Sequence, residues 1–171
     1  MATRILYRYD WRYYEPGDTM LPHADHITNL EALDRDTEIA LRDGHPDGRG
    51  VDIRGSSLYA YADKAVLHSV RRGLPTRFYY ELEVEGDDIA FESDLNYFNA
   101  VKQAISNQIP AGDAISQYWT DGRHMPVDNP WPIREVLFTE GKVLSRENGA
   151  GVGARELMQG GEDRKRRLGI L

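Results

Sequence analysis

Cysteine is absent from the 171 residues of this chain. Its absence excludes disulfide bonds, thiolate nucleophiles and cysteine-based zinc sites, and it leaves the redox compartment open. Long apolar runs are missing too: no stretch of 18 apolar residues is present, and residues 1–4 lead into a strand-like segment rather than into the apolar core of a signal peptide. We therefore expect no membrane span and no export signal.

Basic residues are scarcer than acidic ones, 21 against 28, and the net charge is −7. Because proteins that bind nucleic acid over much of their surface need a basic face, this balance argues against such a protein-wide footprint. Hydrophobic residues make up 40% of the chain and charged residues 29%. That composition is typical of one globular domain with a core of its own.

The C-terminal residues differ in composition from the rest. Residues 149–161 contain five glycines, and the basic run Arg164–Arg167 follows them. Because glycine-rich polar segments bury little apolar surface, we predict a domain over residues 1–148 and a flexible tail over residues 149–171. The basic run is either a solvated terminus or a contact for nucleic acid or an acidic partner.

Hydrophobic periodicity predicts both strands and helices. Strands are predicted at residues 5–9 (central in its sheet), 57–61 and 77–85, with a closing hairpin at residues 133–139 and 142–144. Helices are predicted at residues 28–43, at residues 64–72 after the cap Asp63, and from Ser93 or Asp94 to a point before Pro110. Strands and helices do not alternate strictly, so the fold class is predicted to be α+β with mostly antiparallel pairing.

The first predicted helix has signals at both ends. Thr28 and Glu31 have the spacing of a capping box. In a capping box the side chain of each residue accepts a hydrogen bond from the backbone amide of the other. Gly44 follows the last periodic residue and predicts a left-handed end. Residues 44–55 then read as a loop rich in glycine and charge.

One motif carries a resemblance to a known family. The string Leu-Tyr-Arg-Tyr-Asp at residues 6–10, followed by Arg12, resembles the opening strand of the cholera- and pertussis-type mono-ADP-ribosyltransferase toxins. The resemblance implies that Arg8 binds in the NAD cleft, a role suited to a guanidinium because it forms bidentate bonds to phosphate. The alternative is that Arg8 stacks on its neighbours and pairs with a local acid.

The resemblance continues in order along residues 4–145 and implies further NAD-binding residues. His45 lies where these toxins have a histidine that contacts the ribose; the alternative is an exposed loop histidine. Ser57 lies on the glycine-rich approach to a strand that carries a Ser-Thr-Ser signature in the toxins. That signature is missing, since Ala60 and Tyr61 stand in place of its first serine and its threonine.

This departure is similar to the diphtheria-like branch of the superfamily, in which tyrosines flank the nicotinamide. Tyr59 and Tyr61 are therefore predicted to bind nicotinamide, because an aromatic face attracts a cationic ring. Alternation along a strand sends both to the same face, so one of them lines the cleft and the other belongs to the core.

The position that corresponds to the family's catalytic glutamate is Gln117. A glutamine still bonds the ribose hydroxyl but lacks the Coulomb attraction for an oxocarbenium-like transition state, worth on the order of 4 kcal/mol at about 4 Å. Three explanations stay open: an inactive variant, an acid nearby such as Asp113 or Asp121, or a shifted register. Ile115 stands where arginine-modifying toxins carry a further acid, so an arginine acceptor is disfavoured.

The resemblance implies an ADP-ribosyltransferase-like fold, with two small, mostly antiparallel sheets around an NAD cleft and flanking helices. It implies cleavage of NAD at the nicotinamide–ribose bond and transfer of ADP-ribose to a protein or nucleic-acid acceptor by an effector or toxin domain, cytoplasmic or delivered. Two alternatives are an NAD glycohydrolase of the same fold and an inactive binding or interaction module.

No metal is expected to take part. His23 and His26 are three residues apart, the spacing of a metal pair on a helix, but Pro22 precedes them and a third ligand is missing. The glycines of residues 149–153 lack the strand-to-helix context of a dinucleotide fingerprint. NAD is therefore expected to bind through the residues named above, as a substrate.

Overall fold

A computed structural model describes residues 2–70, 77–120 and 132–149. The chain divides into two compact units, each built from separate stretches of sequence. The described residues within Met1–Met20, Ala60–Gly86 and Glu140–Leu171 form what we call the strand-rich unit. Those within Leu21–Tyr59 and Asp87–Thr139 form the helix-rich unit.

Strands and helices follow one another irregularly along the chain. The strands are β1 (Thr3–Asp10), β2 (Thr19–Met20), β3 (Leu58–Tyr61), β4 (Phe78–Glu85), β5 (Ile89–Asp94), β6 (Arg134–Phe138) and β7 (Gly141–Asn148). The helices are α1 (Ala32–Asp43), α2 (Gly50–Gly55), α3 (Lys64–Val70), α4 (Leu95–Ser106) and α5 (Gly112–Thr120), with 3-10 turns at His26–Asn29 and Gly86–Asp88. Across the described ranges, no helix has the length and apolar character needed to cross a membrane. Mixed α and β structure with antiparallel strands is confirmed.

In the strand-rich unit, β1 is central, as predicted. It pairs with β4 along its full length, from Thr3 opposite Glu85 to Asp10 opposite Phe78. Its other edge pairs with β3, and β4 continues to β7, which in turn pairs with β2. The strand predicted at residues 77–85 is β4.

The sequence pattern of β4 predicts one buried and one solvated face, yet both faces are covered near its start. Tyr79 and Tyr80 are neighbours on opposite faces, and both are fully buried. On the Tyr79 face, α3 contributes the buried His68, whose ring centroid lies 4.9 Å from that of Tyr79. Asp63 caps α3 as predicted, because its carboxylate accepts from the Val66 amide at 2.9 Å.

The helix-rich unit has its own hydrophobic core. The core consists of buried side chains from α1, α2, α4, α5 and β6: Leu41, Ile53, Tyr97, Val101, Tyr118, Trp119 and Leu137. The Trp119 indole also donates to the Leu41 carbonyl at 2.7 Å, which ties α5 to α1. Asp94 caps α4 by accepting from the Asn96 amide at 2.9 Å, so the second of the two predicted caps is the one used.

The predicted capping box at Thr28 is wrong. Residues His26–Asn29 form a 3-10 turn, and α1 begins only at Ala32. The carboxylate of Asp25 caps the turn by accepting from the Ile27 amide at 3.1 Å, and the Thr28 hydroxyl donates backwards to the Asp25 carbonyl. The Asp25 carboxylate, which lies three residues earlier and is a stronger acceptor than a hydroxyl, therefore acts as the cap in place of Thr28.

Gly44 ends α1 as predicted but not in a left-handed conformation, since its φ is −86°. A side chain at Gly44 would collide with that of Ile115 on α5, so close packing rather than φ requires glycine here. The loop predicted over residues 44–55 contains the short helix α2.

The predicted closing hairpin is also wrong, although its two strands exist. β6 pairs with β5 in the helix-rich unit, whereas β7 pairs with β4 and β2 in the strand-rich unit. A short connection at Glu140 favours a hairpin locally, but long-range pairing separates the two strands. Residues 71–72 of the second predicted helix and the tail from residue 150 onwards, including Arg164–Arg167, lie outside the described residues.

Candidate functional site

An arginine cluster, formed by Arg8, Asp10 and Arg12, stands at the end of β1. The Asp10 carboxylate is 1% exposed and accepts from Arg8 at 2.9 Å (Nε) and 2.8 Å (Nη2). Arg12, just past the strand, donates its backbone amide (2.9 Å), Nε (3.1 Å) and Nη2 (3.0 Å) to the same carboxylate. One buried carboxylate thus holds two guanidinium groups in fixed positions.

The carboxylate of this cluster is ionised. Burial alone would raise the pKa of Asp10, but the hydrogen bonds from Arg12 and the charge of Arg8 outweigh it and lower the pKa to about 2. Asp10 is therefore ionised at neutral pH, and two guanidinium groups share its single negative charge. The side chains of Arg8 and Arg12 remain 20% and 17% exposed. Partly exposed guanidinium groups are suited to bind an anion such as phosphate.

The pairing of Arg8 with a local acid, the alternative considered from sequence, is thus observed. It does not compete with anion binding, because a guanidinium has five N–H donors in a fixed fork. Asp10 orients that fork and leaves part of the side chain exposed.

Tyr61 lies on β3, beside the strand that carries Arg8. It stands directly opposite Tyr7 and is 6% exposed. Since residues directly opposite one another share a face of a sheet, Tyr61 shares the face of Tyr7, and Arg8 points to the other one. The structure brings these two predicted site residues to adjacent strands but not to one face.

Tyr59 packs within the helix-rich unit. Its hydroxyl donates to the Arg54 carbonyl, the Arg54 guanidinium lies 5.2 Å from its ring centroid, and the His26 ring meets it edge-on at 4.7 Å. Burial raises the pKa of Tyr59. The cation that Tyr59 contacts is therefore Arg54. Ser57, another predicted NAD contact, is half-buried and lies just before β3.

His45 and Gln117 are predicted site residues that the structure places near one helix, α5. The His45 ring contacts the Trp119 ring at 4.5 Å, and its Nδ1 accepts from the amides of Asp47 (3.0 Å) and Arg49 (3.3 Å). In the neutral ring the proton therefore resides on Nε2. Gln117 lies on α5 two residues before Trp119, but its side chain is exposed.

Asp113 and Asp121 are the acids considered as replacements for Gln117. Asp113 is exposed in the first turn of α5, and Asp121 lies outside the described residues. A buried carboxylate that sequence reasoning missed lies on β6 instead: Glu135 is 6% exposed, and its Oε1 is 3.7 Å from Nη1 of Arg54. The signal for it was a lone acid followed by a strictly apolar strand sequence, Val136–Phe138.

Sequence reasoning also missed what we call the buried ion network, in which Glu38, Arg42 and Arg54 are buried and the fourth member, Asp25, is 34% exposed. Glu38, 1% exposed, accepts from Arg54 at 2.7 and 2.8 Å and from Arg42 at 3.0 Å. Arg42 in turn donates to Asp25 at 2.7 and 2.8 Å. The available signal was the position of Glu38 between Thr37 and Leu41, on the apolar stripe of α1.

Within residues 2–70, 77–120 and 132–149, no three or more histidine, aspartate or glutamate side chains are grouped as a metal site would require. No family model, curated protein or solved structure matches the chain. Function must therefore be argued from the residues themselves.

Proposed function

We propose that this chain has an ADP-ribosyltransferase-type fold, cleaves NAD at the nicotinamide–ribose bond and transfers ADP-ribose to a macromolecular acceptor. The observation that carries the proposal is the arginine cluster. Arg8, the arginine of the toxin-like opening strand, belongs to the central strand β1 and is held by the buried Asp10 with part of its side chain exposed.

In this proposal Arg8 binds a phosphate of NAD. The energetic reason is that Asp10 has already ordered the guanidinium, so less conformational entropy is lost when the anion binds. Arg12 adds a second positive charge on the same carboxylate. His45, Ser57, Tyr59 and Tyr61 are proposed as NAD contacts on the resemblance alone.

The reaction needs a negative charge near the ribose. The bond from the anomeric carbon to the nicotinamide nitrogen breaks, its electron pair leaves with neutral nicotinamide, and the sugar becomes oxocarbenium-like. A nucleophilic atom of the acceptor then bonds to the anomeric carbon and loses its proton. A carboxylate stabilises this developing cation, as it does in glycoside hydrolysis.

For that carboxylate we favour Glu135 over the position of Gln117. Gln117 is an uncharged amide on the exposed side of α5, whereas Glu135 is a buried carboxylate on a strand. Its Oε1 lies 3.7 Å from Nη1 of Arg54, whose Nε and Nη2 donate to Glu38 at 2.7 and 2.8 Å.

The test is release of nicotinamide from NAD labelled in the nicotinamide ring. Glu135→Gln is expected to lower the rate by about a thousandfold, the equivalent of about 4 kcal/mol. Glu92→Gln, which removes a more exposed acid from the neighbouring strand, is the matched control and should change the rate by less than about twofold. If Gln117→Glu raises the rate while Glu135→Gln leaves it unchanged, the carboxylate belongs at residue 117.

A second candidate is a catalytically inactive binding module of the same type. It is favoured by the exposed amide of Gln117 and by Tyr61 in place of the signature threonine, buried at 6% exposure. If NAD binds but neither the wild type nor Gln117→Glu releases nicotinamide, this candidate is the correct one. Release of nicotinamide with free ADP-ribose as the sole product would instead indicate the hydrolase.

A further inference from the structure

The segment after β1 is fixed against the strand-rich sheet rather than free in solvent. The Tyr80 hydroxyl donates to the Arg12 carbonyl at 2.6 Å and accepts from the Tyr14 amide at 3.0 Å. Arg146 on β7 donates to the Tyr14 carbonyl at 2.9 Å. Residues 11–14 are therefore held in place by two different strands.

This fixed segment presents aromatic rings to solvent. Trp11 is 62% exposed and Tyr13 is 57% exposed. The Arg146 guanidinium lies 3.9 Å from the Tyr13 ring centroid. The ring centroids of Phe78 and Tyr13 are 5.6 Å apart, and the two rings meet edge to face. Single exposed apolar side chains are ordinary, but exposed rings grouped on one fixed segment form a patch of the kind that marks interaction sites.

Arginines surround these rings. Arg12 lies 5.4 Å from the Tyr14 ring centroid, and the exposed Arg77 immediately precedes Phe78. With Arg8 and Arg146 there are four guanidinium groups. The described carboxylates of the same region are Asp10, which is buried, Glu15, 3.3 Å from Arg146, Asp18, which accepts from the Glu15 amide, and Glu147, which follows Arg146 on β7. Guanidinium groups thus lie beside the exposed rings in a chain whose net charge is −7.

We propose that this aromatic–arginine patch binds single-stranded nucleic acid. The patch is formed by Trp11, Arg12, Tyr13, Arg77, Phe78 and Arg146. Exposed rings offer faces on which unpaired bases stack, and guanidinium groups between them bind the phosphates. A duplex has its bases already stacked and cannot use the rings in this way. Binding does not require NAD, whereas a role of the bound strand as acceptor of ADP-ribose rests on the proposed function.

The experiment is fluorescence anisotropy of labelled oligo-dT and oligo-U of about 12 nucleotides, without NAD, against a duplex of equal length. We expect the single strands to bind more tightly than the duplex, with an affinity that falls as salt is raised. The double variant Trp11→Ala with Tyr13→Ala should weaken binding by tenfold or more, on the order of one lost stacked base. Because Tyr13 also contacts Arg146, Trp11→Ala alone is the second variant, and circular dichroism checks that both variants fold.

Arginine substitutions separate charge from stacking. Arg77→Ala should weaken binding and reduce the slope of log affinity against log salt by about 0.7, the value for one phosphate contact on a single strand. Arg35→Ala removes an exposed arginine from α1 in the helix-rich unit and should leave binding unchanged.

Three results would overturn the proposal. They are no binding to either strand at about 100 µM protein, tighter binding to the duplex, or unchanged affinity in both aromatic variants. A patch that instead serves a protein partner gives the first result. Because anisotropy is measured without NAD, its failure leaves the nicotinamide assay unaffected, and a chain that releases no nicotinamide can still bind the strand.

Discussion

Among the residues that the structure describes, each unit contains a cluster of arginine and carboxylate side chains, and the two clusters differ in how far their arginines are enclosed. In the buried ion network of the helix-rich unit, Arg54 is 3% exposed and Glu38 is 1% exposed. In the arginine cluster of the strand-rich unit the carboxylate is equally buried, but Arg8 and Arg12 are 20% and 17% exposed. The same pair of side-chain types thus forms a closed structural network in one place and a partly open, cationic one in the other.

The difference indicates which cluster is suited to bind a ligand. Arg54 donates to both oxygens of Glu38 and to the Tyr118 hydroxyl, and its guanidinium lies 5.6 Å from the Phe98 ring centroid. A ligand would have to displace buried partners there. The guanidinium groups of the arginine cluster are less enclosed, since part of each side chain is exposed. We therefore expect the first cluster to contribute stability, and we propose the second as the binding site.

The largest predicted effect breaks the closed network. Glu38→Gln removes the charge that Arg42 and Arg54 share, and leaving buried guanidinium groups without it should lower the free energy of unfolding by about 3–5 kcal/mol. Urea denaturation measures the change.

Asp34→Asn is the control for that substitution, because Asp34 pairs with Lys102 on the surface, where the side chains are 34% and 38% exposed. It should cost less than about 1 kcal/mol. Equal effects of the two substitutions would contradict the structural role of the network.

A smaller effect is expected from the titration of Asp10. Its folded pKa, about 2, lies below the ordinary value of 3.8. A depressed pKa contributes stability above the unfolded value, and that stability is lost as the pH falls from about 4 through about 2. The contribution at neutral pH is about 2 kcal/mol.

Asp10→Asn should therefore lower the free energy of unfolding at pH 7 and make it less dependent on pH between about 4 and 2. Urea unfolding of both proteins across that range measures the difference. A constant difference between the two proteins down to about pH 2 would show that the charge of Asp10 is not what Arg8 and Arg12 stabilise.

The smallest predicted effects come from replacing one arginine by lysine in each of the two clusters. Arg8→Lys keeps the charge but loses the planar fork, so it should weaken NAD binding by about tenfold with little change in stability. Arg42→Lys, in the closed network, should show the reverse: lower stability and unchanged NAD affinity. Calorimetric titration and thermal unfolding of both variants distinguish these outcomes.

Local signals in the sequence predicted much of this fold. The cap residues Asp63 and Asp94 lie within three residues of the amides they bond, and both were identified. The pairing of Arg8 with an acid two residues away is of the same kind. Local bonds of this sort need no knowledge of the rest of the chain.

What the sequence did not reveal depends on long-range contacts. The pairing of β6 with β5 instead of β7, the collision that requires Gly44, and the bond between Arg54 and Glu38 all join residues distant in the chain. No local pattern distinguishes a glutamate that a distant arginine neutralises from one that faces water. Glu135 is in this class, since the apolar sequence after it indicates burial but does not identify its neighbours.

The most direct test of the account is calorimetric titration of NAD into the wild type and into Arg8→Ala. We predict that the wild type binds NAD and that Arg8→Ala loses the binding while it stays folded, with a lower melting temperature because the buried Asp10 loses its bonds from Arg8. Unchanged NAD affinity in Arg8→Ala, or no binding by the wild type, would contradict the assignment of the arginine cluster as the binding site.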